Sequence, residues 1–196
     1  MANMEESKSI SALEQFYKLV EEDKTGDKKS VYWDGKSASM VEDEFDSLYI
    51  SDGRGGITGT ERTGIPDVFE LYYPDSIENV VLTSDSEEDY HLTADVVDIR
   101  IQLVDFHSKQ EELKEDFSYK EIDAGILSKH QTKYFEDYKL YVGLIKTGEE
   151  TYAGYTLLFE SNLNNKSYMI SVAGIGNLED IKINALYIMN HFQVSY

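Results

Sequence analysis

The chain of 196 residues predicts an α+β fold, a mostly antiparallel β-sheet packed by N-terminal, middle and C-terminal helices. Three observations carry this. Apolar residues recur at helical spacing near both ends and once in the middle, while segments between them alternate at period two. Three late strand-like runs are joined by short polar links, which makes neighbours antiparallel. With two prolines and no Ser/Pro-rich linker, the chain reads as one domain over 9–196 behind a flexible arm over 1–8. A domain of that size buries about 70% of its unfolded surface, so it needs no metal or disulfide staple.

The elements follow in order. In SISALEQFYKLVEED (9–23), Ile10, Leu13, Phe16, Tyr17 and Val20 form one helical stripe, and Ser11-x-x-Glu14 supplies a capping box. SVYWDGK (30–36) is a strand closed by an Asp34-Gly35 turn, and MVEDEFDS (40–47) is open between short helix and loop. FDSLYI (45–50) reads as a strand. It leads into SDGRGGITG (51–59), the one stretch that resembles a phosphate cradle. Such a loop must hand over to a helix N-terminus. Gly59, Gly64 and Pro66 forbid that helix and the GxxxxGK[ST] pattern is missing, so the stretch reads as a hairpin or irregular loop.

DVFELYYPD (67–75) places Phe69, Leu71 and Tyr73 on one strand face, and Pro74 ends it. NVVLTSD (79–85) is a further strand. VVDIRIQLV (96–104) is the clearest, with Val97, Ile99, Ile101 and Leu103 alternating with Asp98, Arg100 and Gln102. SKQEELKEDFSYKEI (108–122) switches to helical period behind a second box, Ser108-x-x-Glu111. YKLYVGLIK (138–146), TYAGYTLLFE (151–160) and KSYMISVAG (166–174) then form a meander through TGEE and SNLNN. NLEDIKINALYIMNHF (177–192) closes the chain as a helix. Leu178, Ile181, Ala185, Ile188 and Phe192 make its apolar face and Asn177 its N-cap.

Composition narrows the function classes. The formal charge is −20, from 38 acids against 18 bases. That field repels phosphate backbones and anionic lipid, which argues against nucleic-acid and membrane-surface roles and leaves a basic protein, a divalent cation or a neutral ligand. The absence of cysteine removes thiol nucleophiles, disulfides and thiolate metal sites. No apolar run reaches the roughly 18 residues that span a bilayer. The polar opening MANMEESKSIS (1–11) suits a chain cut just after an export signal or lipid anchor. The expectation is therefore an extracytoplasmic, cell-surface or secreted protein, with a cytoplasmic one as the alternative.

Candidate sites come from three residue classes. Asp85, Glu87, Glu88 and Asp89 gather oxygen ligands in SDSEEDYH (84–91), where Ca²⁺ is the conceivable occupant, but the spacing of a dedicated calcium loop is missing. EDEFD (42–46) reads in the same way. His91, His107, His130 and His191 lie apart without zinc spacing; His107 reads as structural, and His191 as packing or as charge at a helix C-terminus. No GxSxG elbow is present and no carboxylate pair stands out, so no catalytic residue is assigned. The fifteen tyrosines are the anomaly. Tyr32, Trp33, Tyr72, Tyr73, Tyr152 and Tyr155 are candidate partner-binding anchors, because Tyr and Trp bury large area at low entropy cost. Adjacent aromatics on a strand point to opposite faces, so one of Tyr72 and Tyr73 must leave the core face.

From Gly64 onward the order of elements resembles the PsbP/Mog-type α/β/α sandwich family, which includes DcrB-like bacterial lipoproteins. GIPDVFELYYPDSIENV (64–80) is similar to the family's early strand and Tyr-Pro step, with Ile77 where that family has Trp. YAGYTLLFESN (152–162), KSYMISVAG (166–174) and the aromatic helix end IMNHFQV (188–194) are similar to its late elements, with His191 in place of Ser. The resemblance implies an α/β/α sandwich and a non-enzymatic docking or assembly module that is exported. Two further readings stand beside it: a cytoplasmic immunity-type antagonist or chaperone of a basic partner, and a carboxylate-based hydrolase.

Overall fold

The computed structural model describes residues 4–22, 29–42, 60–95 and 97–195. FDSLYI, SDGRGGITG with its loop readings, and the 43–46 part of EDEFD lie outside the described residues. The elements are α1 (Met4–Glu22), β1 (Lys29–Trp33), β2 (Ala38–Glu42), β3 (Thr60–Ile65), β4 (Phe69–Pro74), β5 (Val81–Ser86), β6 (Asp89–Thr93) and β7 (Val97–Val104). There follow α2 (Phe106–Glu115), β8 (Tyr119–Ile122), a 3₁₀ turn (Ala124–Ile126), the single-turn α3 (Lys129–Thr132), β9 (Phe135–Thr147), β10 (Glu150–Ser161) and β11 (Ser167–Gly174). The chain closes with β12 (Gly176–Asn177), α4 (Leu178–His191) and β13 (Gln193–Val194). Four α-helices and three antiparallel sheets, among the described residues, make this an α+β fold.

The main sheet has seven strands in the order β5-β6-β7-β11-β10-β9-β8. Two meanders, β5-β6-β7 and β9-β10-β11, join where β11 pairs with β7. The remaining sheets are small, β12-β1-β2 and β13-β4-β3. On one face of the main sheet Leu140, Val142, Leu157, Phe159, Ile170 and Val172 share a core with Phe16 of α1, Leu178, Ile181, Ala185 and Ile188 of α4, and Trp33, Phe69 and Leu71 of the small sheets. On the other face Phe106 and Leu113 of α2 pack on Tyr141, Leu158 and Met169. Each side chain of this size contributes roughly 1.5–3 kcal/mol on burial. The central strands are covered on both sides, which is why β10 is buried almost without alternation while β7 alternates.

Several boundaries differ from expectation. α1 begins at Met4, within the segment expected to be an arm, because Met, Glu and Lys carry helical backbone ahead of the apolar stripe. Ser11 is therefore inside the helix and its box is not the start. α2 begins at Phe106 and is capped by Asp105, whose carboxylate accepts from the Ser108 N–H at 2.9 Å. This displaces the expected Ser108 box: with Asp105 as N-cap, Ser108 is already the third residue inside the helix and its own N–H is the one capped. α2 also stops at Glu115. Asp116 takes extended backbone and its carboxylate accepts from the Ser118 N–H at 2.9 Å, so 119–122 leaves the helical period and pairs with β9 as an edge strand. Asn177 caps α4 as expected, accepting from the Glu179 N–H at 3.0 Å.

Candidate functional site

Strand parity sorts the six aromatic candidates before any contact is considered. Tyr32 and Trp33 are neighbours, as are Tyr72 and Tyr73, and Tyr152 and Tyr155 are three apart, so each pair straddles its sheet. Trp33, Tyr73 and Tyr155 take the inner faces. Trp33 is 1% exposed, its Nε1–H donates to the Thr151 carbonyl at 2.9 Å, and its ring meets the Phe16 edge at 6.0 Å. Tyr155 lies in the main core, and Tyr73 packs against it with its hydroxyl pKa raised by burial. These three correct the expectation of a common binding face: the apolar faces of β1, β4 and β10 claim them. Tyr32, Tyr72 and Tyr152 point outward.

Two of the outward tyrosines share a device that the sequence shows only in retrospect. The Tyr72 hydroxyl donates to Glu70 Oε2 at 3.2 Å, and the Tyr152 hydroxyl donates to Glu150 Oε2 at 2.5 Å. Both are Glu-x-Tyr on a strand, a spacing of two that returns both side chains to one face. The hydrogen bond to Glu150, with burial and the charges of Glu150 and Asp98 behind it, pushes the Tyr152 hydroxyl up to about 12.

Around Tyr152 the sheet forms a cup of about 220 Å³ at the end of β6, β7 and the β9–β10 turn, with Asp95, Asp98, Glu150, Tyr152 and Ile175 in its wall. Non-local pairing assembles it. Asp98 lies opposite Ala173 on β11, whose neighbour β10 brings in Glu150 and Tyr152. Asp98 is fixed at both oxygens, by His91 Nε2 at 2.5 Å and by the Thr147 hydroxyl at 3.3 Å. Asp95 accepts from Asn79 Nδ2 at 2.7 Å. Ile175 is 38% exposed, an apolar rim beside the carboxylates. Among the described residues no lysine or arginine lines the cup. It offers three carboxylates and one tyrosine ring to a visiting cation.

The other candidates are dispersed. Glu87 and Glu88 form the two-residue turn of the β5–β6 hairpin, while Asp89 faces Arg100 across the sheet at 3.4 Å. Asp85, Glu87, Glu88 and Asp89 therefore do not converge, and among the described residues no three acidic or imidazole groups stand close enough to hold a metal. His107 meets the Phe106 ring edge at 5.8 Å, and His191 stacks on Tyr187 at 4.4 Å in the last turn of α4, with Nδ1 2.7 Å from the Tyr187 carbonyl.

No protein-family profile matches this chain, and no curated protein does. Among solved structures, a crystal structure from Bacteroides thetaiotaomicron VPI-5482 is similar over 69% of this chain and 48% of that one, at 13% identity and a TM-score of 0.41. This chain thus spans about half the length of that protein.

Proposed function

We propose that this chain is a non-enzymatic docking module for a basic protein partner, with a lysine or arginine of the partner seated in the cup beside Tyr152. One observation carries the reading: Asp95, Asp98 and Glu150 line a single concave site with no lysine or arginine among its described lining residues, on a chain of net charge −20. The overall field steers a cationic partner and the cup gives it an address. Ile175 and the Tyr152 ring supply the apolar and quadrupolar contact that a guanidinium stem and head prefer. The α/β/α sandwich belongs to the same proposal and is supported by hydrophobic cores on both faces of the main sheet. So does export, which a signal or lipid anchor encoded upstream would support.

The test separates an address from diffuse attraction. An oligo-arginine peptide is titrated into the chain and into two single-charge variants, E150Q in the cup and E136Q at the exposed far end of β9. E150Q weakens binding about tenfold, as expected for a desolvated charge-assisted contact, while E136Q changes it less than twofold. Equal losses in the two variants would refute the cup and leave only charge.

A further inference from the structure

The opposite end of β10, roughly 35 Å along the strand from Glu150, holds a second concave site of different chemistry. A cavity of about 260 Å³ opens between α3, the end of α4 and the β9–β10 edge. Phe135, Phe159 and Phe192 wall it, with Phe135 stacked on Phe159 at 4.3 Å and Phe192 edge-on to Phe159 at 6.0 Å. Tyr134 and Leu163, each 39% exposed, stand at its mouth.

One polar side chain deep in this wall is incompletely used. Gln131 is 7% exposed, and its Nε2 donates to the Met189 carbonyl at 2.9 Å and the Phe192 carbonyl at 2.6 Å. Those two bonds satisfy carbonyls at the C-terminal end of α4. They also fix the amide, because only the nitrogen can donate to two carbonyls, so Oε1 faces away from them. Oε1 accepts no hydrogen bond from any described residue, and the side chain lines the cavity. Oε1 is not among the sealed-off polar atoms of the described residues, so it is open to the cavity and free to accept from a donor that enters it.

We infer that this cavity binds a small planar molecule of one or two rings bearing a single N–H or O–H donor, of the indole or phenol class. Size, wall and acceptor each restrict the ligand. An apolar cavity of about 150 Å³ takes a single benzene ring, so 260 Å³ admits two fused rings. It is smaller than the roughly 300–1,000 Å³ that larger ligands occupy. The phenylalanine rings favour an aromatic guest in offset or edge contact, and Gln131 Oε1 selects one that donates.

Indole is titrated into the full chain and followed by the Gln131 side-chain amide signals in ¹H–¹⁵N NMR. 1-Methylindole, nearly the same shape without the N–H, is the matched probe. Indole gives saturable shifts at Gln131, and 1-methylindole binds about tenfold more weakly, the value of one buried hydrogen bond. L163W, a substitution at the exposed mouth that leaves the core untouched, weakens indole at least tenfold by filling the entrance. No saturable shift with indole would mean that the cavity holds water only, and would overturn the inference. Equal affinity for the two indoles, or full affinity in L163W, would do the same by removing the acceptor or the cavity from the binding site.

Discussion

W33F decides whether Trp33 is an internal strut or a surface anchor. The change removes three ring atoms from a side chain that is 1% exposed and deletes the Nε1–H bond to Thr151. At about 0.8 kcal/mol per buried carbon the two carbons among them cost about 1.6 kcal/mol, and the lost Nε1–H hydrogen bond adds about 1 kcal/mol. The sum, about 2.6 kcal/mol, also reflects what Trp33 connects: it ties β1 to the β9–β10 hairpin and holds Phe16 of α1 by edge contact. For a chain of this length each kcal/mol lowers Tm by about 2–4 °C, so circular dichroism melts should fall by about 5–10 °C. Trp33 is the sole tryptophan, so fluorescence reports it alone. Native emission should be shielded from acrylamide, a neutral quencher that the −20 field cannot hold off. A Tm within about 1 °C of the parent, or ready quenching, would refute the burial argument and return Trp33 to the surface.

Two further outcomes follow from backbone approach and from proton binding. At Gly154 an added Cβ would lie 2.2 Å from the Val172 carbonyl oxygen and 2.5 Å from Ala173 Cα, both backbone; G154A should cost at least about 2 kcal/mol in urea unfolding. G148A, at a turn with φ of 66° and nothing within 4 Å, should cost about 1–2 kcal/mol for the left-handed backbone alone. A smaller loss at 154 than at 148 would contradict the close packing of β10 on β11. Tyr152, bonded to Glu150, and Tyr141, buried under α2, both titrate near 12 rather than 10. The folded chain therefore holds protons that the unfolded chain releases between pH 10 and 12. Their stabilisation is complete below pH 10 and is lost as pH rises through about 12. Absorbance at 295 nm should show tyrosines ionising late, and E150Q should bring one of them forward; an unchanged curve would contradict the Tyr152–Glu150 bond.

How far the sequence could be read follows from where its signals are local. Val97 to Leu103 alternate because β7 keeps polar residues on one face, so strand, face and core residues were all visible. The final helix was visible because its apolar spacing and its cap agree. The 119–122 strand was not, because SYKEI continues a helical pattern and only its pairing with β9 overrides it. α2 was misplaced by three residues because Asp105 and Ser108 are both competent caps, and local sequence does not rank them.

The aromatic residues show the limit most sharply. Parity dictates that Tyr72 and Tyr73 part, and the companions Phe69 and Leu71 decide which one turns inward. In β10 that guide fails, since helices cover both faces and YAGYTLLF is apolar throughout. Tyr152 and Tyr155 then look equivalent although one is outward and one is in the core. The cup adds a longer-range term, for Asp98 and Glu150 meet only through the β7-β11-β10 strand order. Net charge gives the sign of the field, and in β4 parity with its apolar companions tells which tyrosine turns outward, whereas the point where the carboxylates converge is a property of topology. That ranking makes E150Q against E136Q the sharper comparison: the two substitutions are identical in charge and differ only in where the strand order has put them.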